Sequence, residues 1–217
     1  MIKAVVFDMD GLLIDSERVT FKMFQKKLAE RGQEMSEQYY CTLLGICLAE
    51  TKVMLKEKYG DNMFDVTDVH NEMVEYYEKN GVPVKKGARE LLQMLRKDGI
   101  KCAVASSSDK EWVQQMMNYT GLGEYFQYFV CGNEVKHAKP APEIFLTACE
   151  KLGVDPSDAI VLEDAKSGIE AANNAGIPVI CVPDMLKPDE AHAKMTYKIM
   201  DSLLDVKNFF EENNYEL

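Results

Sequence analysis

The sequence predicts an α/β protein, a Rossmann-like parallel sheet with helices on both faces, interrupted by one inserted helical unit. Three observations predict it. Short apolar, largely β-branched runs recur at residues 2–7, 101–105, 127–130, 159–162 and 178–182, as expected of strands buried on both faces. Helical patterns separate the later runs, and strands alternating with helices imply parallel pairing through crossover connections. Residues 16–86 lack that alternation and read as several helices broken at Gly32, Gly45 and Gly60, the mark of an insertion.

Each element follows from local pattern. The run at 2–7 leads into Asp8, Met9, Asp10 and Gly11, a strand passing into a loop. In the insertion, Phe21, Phe24 and Leu28 share one helix face, and Val69, Met73, Val74 and Tyr77 share another near 65–79; Gly81, Val82 and Pro83 mark the return. In 87–98, Ala88, Leu91, Leu92 and Leu95 fall at i, i+3, i+4 and i+7, with Gly99 as a stop. Ser108 and Glu111 form a capping-box pattern that starts the next helix. Residues 141–152 carry Ile144, Phe145, Ala148 and Leu152 before Gly153, and 166–175 carry Ile169, Ala172 and Ala175 before Gly176. The tail after Asp201 is a further helix whose acidic end reads as a solvated face.

Composition narrows the function. With 25 Lys and Arg against 36 Asp and Glu, the net charge of −11 opposes binding to a phosphate backbone, so no nucleic-acid partner is expected. No apolar run approaches the roughly 20 residues that span a bilayer, and a carboxylate at position 8 comes too early for a secretion signal. The expectation is a cytoplasmic protein with no membrane partner, whose fold and acidic surface allow a monomer. Cys41, Cys47, Cys102, Cys131, Cys149 and Cys181 are scattered without a Cys-x-x-Cys pair, and read as reduced, mostly buried thiols. His70, His137 and His192 lie apart without metal-ligand spacing and read as ordinary surface or internally satisfied residues.

Ligands of open α/β sheets bind beyond the carboxyl ends of the strands, so the polar residues there are the candidates. Asp8 and Asp10 leave the first strand together; alone they would suit an Asx-type turn, but beside a cation they suit a nucleophile next to a general acid/base. Gly11 permits a tight exit. Glu163 and Asp164 follow the fourth run and offer hard oxygen ligands of the kind magnesium takes, although an acidic pair entering a helix has the same look. Gathering these carboxylates without a cation would be unfavourable, which argues for one. Ser106 and Ser107 are phosphate-binding candidates ahead of a helix, where Ser108 reads as its cap. Lys139, between prolines, would be a solvated charge in isolation; here it would offset Asp8 and an incoming phosphate.

Four motifs in order then carry a family resemblance: residues 7–17 around Asp8 and Asp10, residues 105–108, residues 139–145 and residues 161–168. Together, with a helical insertion after the first, the chain resembles the haloacid dehalogenase-like hydrolases, in the branch of beta-phosphoglucomutase and small sugar-phosphate phosphatases. The resemblance implies a Rossmann-like core over 1–15 and 82–217 and a helical cap over 16–81. It further implies Asp8 as the nucleophile forming an aspartyl-phosphate, Asp10 as acid and then base, and Ser106 and Lys139 holding the phosphoryl group of a small phosphorylated substrate. Magnesium would be bound by Asp8, the Asp10 main-chain carbonyl and Asp164, with Glu163 beside them or in the shell. A dehalogenase is disfavoured, because that chemistry does not use the second aspartate. Thr20 stands where the mutase pattern has His, and Leu48 where it has a phosphate-gripping Arg, so the resemblance implies a phosphatase over a hexose-phosphate mutase or a non-catalytic relic. Thr20, Leu48 and Thr51 are the expected substrate contacts of the cap.

Overall fold

The computed structural model describes residues 1–44, 48–60 and 63–216. The chain folds into two compact units, Met1–Asp15 with Pro83–Leu217, and Ser16–Val82.

The first unit is built on a six-stranded sheet, with β1 (Ala4–Phe7), β2 (Lys101–Ser106), β3 (Tyr128–Cys131), β4 (Ala159–Glu163), β5 (Val179–Cys181) and β6 (Lys198–Ile199). All pairs are parallel, in the order β3-β2-β1-β4-β5-β6. The chain runs outward from β1 to β3 and then returns to β1's other side as β4, so the order reverses between β1 and β4. That reversal is where a doubly wound sheet opens a ligand crevice. Every residue of β1 and β4 is buried, which explains why these segments read as continuous apolar runs rather than as alternating ones.

One sheet face, Ala4, Val6, Ala103, Ala105, Val161 and Val179, packs on α7 (Glu143–Leu152) and α8 (Lys166–Asn174) through Ile144, Phe145, Ala148, Ile169 and Ala172. Small Ala residues on the strands leave room for the bulkier helix side chains, as interlocking layers require. Elsewhere α5 (Ala88–Lys97) packs on β2 and α10 (Leu203–Asn213) on α5, while Phe7 meets Phe126 edge to face at 5.6 Å. α6 (Lys110–Thr120) lies against β3.

Two features depart from the pattern reading. α6 starts at Lys110 with Asp109 as its N-cap and no side-chain cap bond, so the Ser108–Glu111 capping box does not form; Ser108 is occupied elsewhere. β6 and the short α9 (Glu190–Met195) before it were not legible: β6 has two residues, both exposed, too few to carry any period.

The second unit contains α1 (Ser16–Ala29), α2 (Glu37–Cys41), α3 (Leu48–Tyr59) and α4 (Val66–Asn80). Val19, Phe24, Leu28, Val69, Met73 and Tyr77 are buried along α1 and α4, while Val74 is half-buried. The ring of Phe24 meets Phe64 at 5.1 Å and Tyr40 at 5.8 Å. Ser36 and Asp65 cap α2 and α4 by accepting from the N–H groups of Tyr39 and Thr67. The expected breaks at Gly32 and Gly60 are present; Gly45 lies outside the described residues. No described helix is long and apolar enough to cross a membrane.

Candidate active site

Asp8 follows the last residue of β1, and its N–H still donates to the Leu162 carbonyl at 3.0 Å, so the ladder with β4 fixes its backbone. Glu163 ends β4 one residue beyond the Phe7–Leu162 pair. Lys139 lies between them. Its Nζ donates to Asp8 Oδ1 at 2.6 Å, Glu163 Oε1 at 2.7 Å and the Ala105 carbonyl at 3.0 Å. The three side chains are 3 %, 10 % and 1 % exposed for Lys139, Asp8 and Glu163, so this is a buried ion cluster in which each charge depends on its partner.

The electrostatics follow from that burial. Burial pushes the Asp8 carboxyl up to about 7; Lys139 pulls it down, and Glu163 and Asp10 add to the rise. Burial acts on Lys139 in the lowering direction, but Asp8 and Glu163 outweigh it and hold the ammonium above its ordinary value. The Lys139 Nζ also lies 4.9 Å from the Phe145 ring centroid, and the Lys139 loop is tied by Glu143, whose carboxylate accepts the N–H groups of Lys136 and His137 at 2.8 and 3.0 Å. His137 Nδ1 also contacts Glu143, in keeping with its reading as an ordinary satisfied residue.

Glu163 differs from expectation. Its second oxygen accepts the N–H groups of Asp164 and Ala165, each at 2.8 Å, and with Oε1 on Lys139 the buried carboxylate is fully engaged within the protein. It turns the chain into α8 and fixes Lys139. A Cβ on Gly168 would fall 1.7 Å from Glu163 Oε1, so only glycine admits the carboxylate here.

The three serines at the end of β2 and just beyond it have separate tasks. Ser106 is 1 % exposed and its Oγ accepts the Ser108 N–H at 3.1 Å. Ser107 is exposed, and its carbonyl lies 2.1 Å from where a Cβ on Gly132 would stand. Ser108 Oγ donates to Asp10 Oδ2 at 2.8 Å, which sequence reasoning missed because Ser-x-x-Glu has the look of a cap. Gly11, at φ +84°, closes the loop by donating to the Ile14 carbonyl at 2.9 Å, and a Cβ there would fall 2.3 Å from Asp164 Oδ2. Asp164 therefore lies directly against the loop that carries Asp8 and Asp10.

Hard oxygen donors on the neighbouring loops of β1 and β4 suit magnesium, and the glycine that gives way to Asp164 keeps its carboxylate close. Among the described residues no three His, Cys, Asp or Glu side chains form a ready ligand group. Magnesium commonly uses one or two carboxylates, completing its shell with water and substrate phosphate, so the donor set fits that ion. Lys139 offsets one of the two charges on Asp8 and Glu163, which leaves the loops of β1 and β4 with net negative charge.

Thr20, Leu48 and Thr51 belong to the second unit. Thr20 Oγ1 donates to the Ser16 carbonyl at 3.0 Å and contacts Met73 Sδ at 3.3 Å, and Thr51 is buried. The Leu48 side chain lies outside the described part of the structure.

The sequence model of the haloacid dehalogenase-like hydrolases matches residues 5–182. The chain belongs to that family. Among similar family members, the phosphorylated carbohydrates phosphatase of Thermotoga maritima is 33 % identical over 178 residues, 81 % of this chain and 82 % of that protein. A Thermotoga maritima structure provisionally described as a beta-phosphoglucomutase superposes with a TM-score of 0.82 at 29 % identity, covering 97 % of this chain and 99 % of the other. A haloacid dehalogenase family hydrolase of Deinococcus radiodurans R1, with bound phosphate and sodium, gives 0.82 at 26 % identity over 97 % and 96 % of the two chains. The haloacid dehalogenase-like match spans all four loops that build the site.

Proposed function

We propose that this haloacid dehalogenase-like hydrolase is a magnesium-dependent phosphomonoesterase acting on a small phosphorylated carbohydrate through an aspartyl-phosphate. The observation that carries the reading is Asp8, a carboxylate at the sheet's reversal point, paired with a buried ammonium and followed two residues later by a second aspartate. The name of the Thermotoga maritima phosphatase supports the substrate class.

In the first step an Asp8 carboxylate oxygen attacks phosphorus while the bond from phosphorus to the ester oxygen breaks, and Asp10 delivers its proton to the departing alkoxide. In the second, water attacks the same phosphorus, Asp10 takes its proton, and the Asp8 carboxylate is restored as phosphate leaves. Lys139 favours the ionised form of Asp8 and fixes its direction. Ser106 and Ser107 would bind the phosphoryl oxygens. Asp8, the Asp10 main-chain carbonyl and Asp164 would hold magnesium, which supplies positive charge to the transferring phosphoryl group. The inserted unit selects the substrate.

The test is inorganic phosphate release from a panel of sugar phosphates and other small monophosphates, with magnesium and with a chelator. Release is expected only with magnesium, and Asp8→Asn should abolish it. A chain that instead isomerises a hexose phosphate when primed by its bisphosphate would be a mutase, and the hydrolase reading would fall.

A further inference from the structure

We propose that Ser108 is a positioning residue for Asp10, orienting its carboxylate for proton transfer to the leaving group. The inference rests on the phosphatase reading above and adds to it a residue that the four-motif resemblance leaves without a role.

Ser108 is held at three points. Its N–H donates to Ser106 Oγ at 3.1 Å, its carbonyl accepts from the Gly132 N–H at 2.9 Å, and its own hydroxyl donates to Asp10 Oδ2 at 2.8 Å. The backbone is therefore fixed before the side chain acts, by a buried serine on one side and by the turn after β3 on the other. Gly132 is part of that fixation, since a Cβ there would drive into the Ser107 carbonyl. A short hydroxyl on a fixed backbone has little freedom, so the carboxylate it holds has one preferred orientation.

The Asp10 backbone is held independently. Gly11 and the bonds from Leu13 and Ile14 N–H to the Met9 carbonyl, at 2.9 and 3.2 Å, close the turn around it. The Ser108 hydroxyl restrains the Asp10 side-chain torsion through Oδ2. Proton transfer depends on such placement, because a general acid must lie within hydrogen-bond reach of the atom it protonates.

The role has a kinetic signature that mere structural support lacks. Departure of a sugar alkoxide needs the proton from Asp10, whereas departure of para-nitrophenolate hardly does. Ser108→Ala should lower kcat/KM by about tenfold or more for the sugar phosphate hydrolysed fastest in the panel, a fraction of the hundredfold or greater effect of a whole general acid. For para-nitrophenyl phosphate it should stay within about twofold of the native value. Ser108→Thr, which keeps the hydroxyl, should restore the sugar-phosphate value. Equal losses on both substrates, or an unchanged ratio between Ala and Thr variants, would overturn the role of Ser108 while leaving an active phosphatase. A native chain releasing phosphate from neither compound would remove the phosphatase reading, and this inference with it.

Discussion

Lys139 uses all three of its ammonium hydrogens inside the protein, on Asp8, Glu163 and the Ala105 carbonyl. Removing only that ammonium, as in Lys139→Met, keeps an unbranched side chain of similar length but leaves two buried carboxylates without a cation. A loss of about 3–5 kcal/mol is expected at neutral pH, the range for breaking a buried pair, measured as the fall in unfolding free energy in urea. Burial already raises Asp8, so protonation in the folded variant discharges it, and the deficit should shrink as pH falls from about 8 to about 5.5. A deficit constant across that window would show that lost packing, not stranded charge, is responsible. Position at the strand ends made Asp8, Asp10, Lys139 and Asp164 legible in the sequence. Orientation was not legible. Glu163 and Asp164 are adjacent acids of one type, and only the folded backbone turns one inward to Lys139 and the other toward Gly11. Ser108 was misread for a related reason, since a serine ahead of a helix fits a cap equally well until the helix is seen to start at Lys110.

At the scale of elements, α9 shows how a segment without periodicity is held. His192 lies between two carboxylates, with Nδ1 at 2.6 Å from Asp189 and Nε2 at 2.8 Å from Glu170 on α8, while Lys166 also pairs with Asp189. Hydrogen bonds to Asp189 and Glu170 raise the imidazole above its ordinary value, and His192 and Lys166 lower the Asp189 carboxyl. A raised folded value means stability present in full below the unfolded value near 6.5 and lost as pH rises through the folded one. His192→Gln should therefore lower Tm at about pH 6 and make little difference at about pH 9, read by thermal unfolding of both proteins. An equal shift at both values would assign the effect to packing. The longer helices of the first unit were legible because each buries a face large enough to impose a period, and strands such as β1 and β4 because burial on both faces leaves continuous apolar runs. α9 and β6 bury too little to leave one, and are held by ion pairs and by main-chain bonds such as Tyr197 N–H to the Val179 carbonyl at 2.8 Å.

At the scale of the whole molecule, the thiols of the described residues divide as the folding units do, Cys47 lying outside those residues. Cys102, Cys131, Cys149 and Cys181 are buried in the first unit, on or against the sheet, while Cys41 in the second is half-buried. Burial pushes the Cys102, Cys131 and Cys181 thiols up to about 12 and Cys149 to about 11, so access and thiolate fraction both oppose reaction with an alkylating reagent. Reaction at these four thiols requires the sheet and its helices to open, and such opening in a core has a free energy approaching that of global unfolding. Iodoacetamide at about pH 8, followed by peptide mass analysis, should modify Cys41 well before any of the four. The four should then react together, at a rate that rises with urea in parallel with loss of the helical signal. Early modification of Cys149 or Cys181 alone would mean that α7 or the β5 edge opens separately, and that the sheet carrying Asp8 and Glu163 is not a single cooperative body.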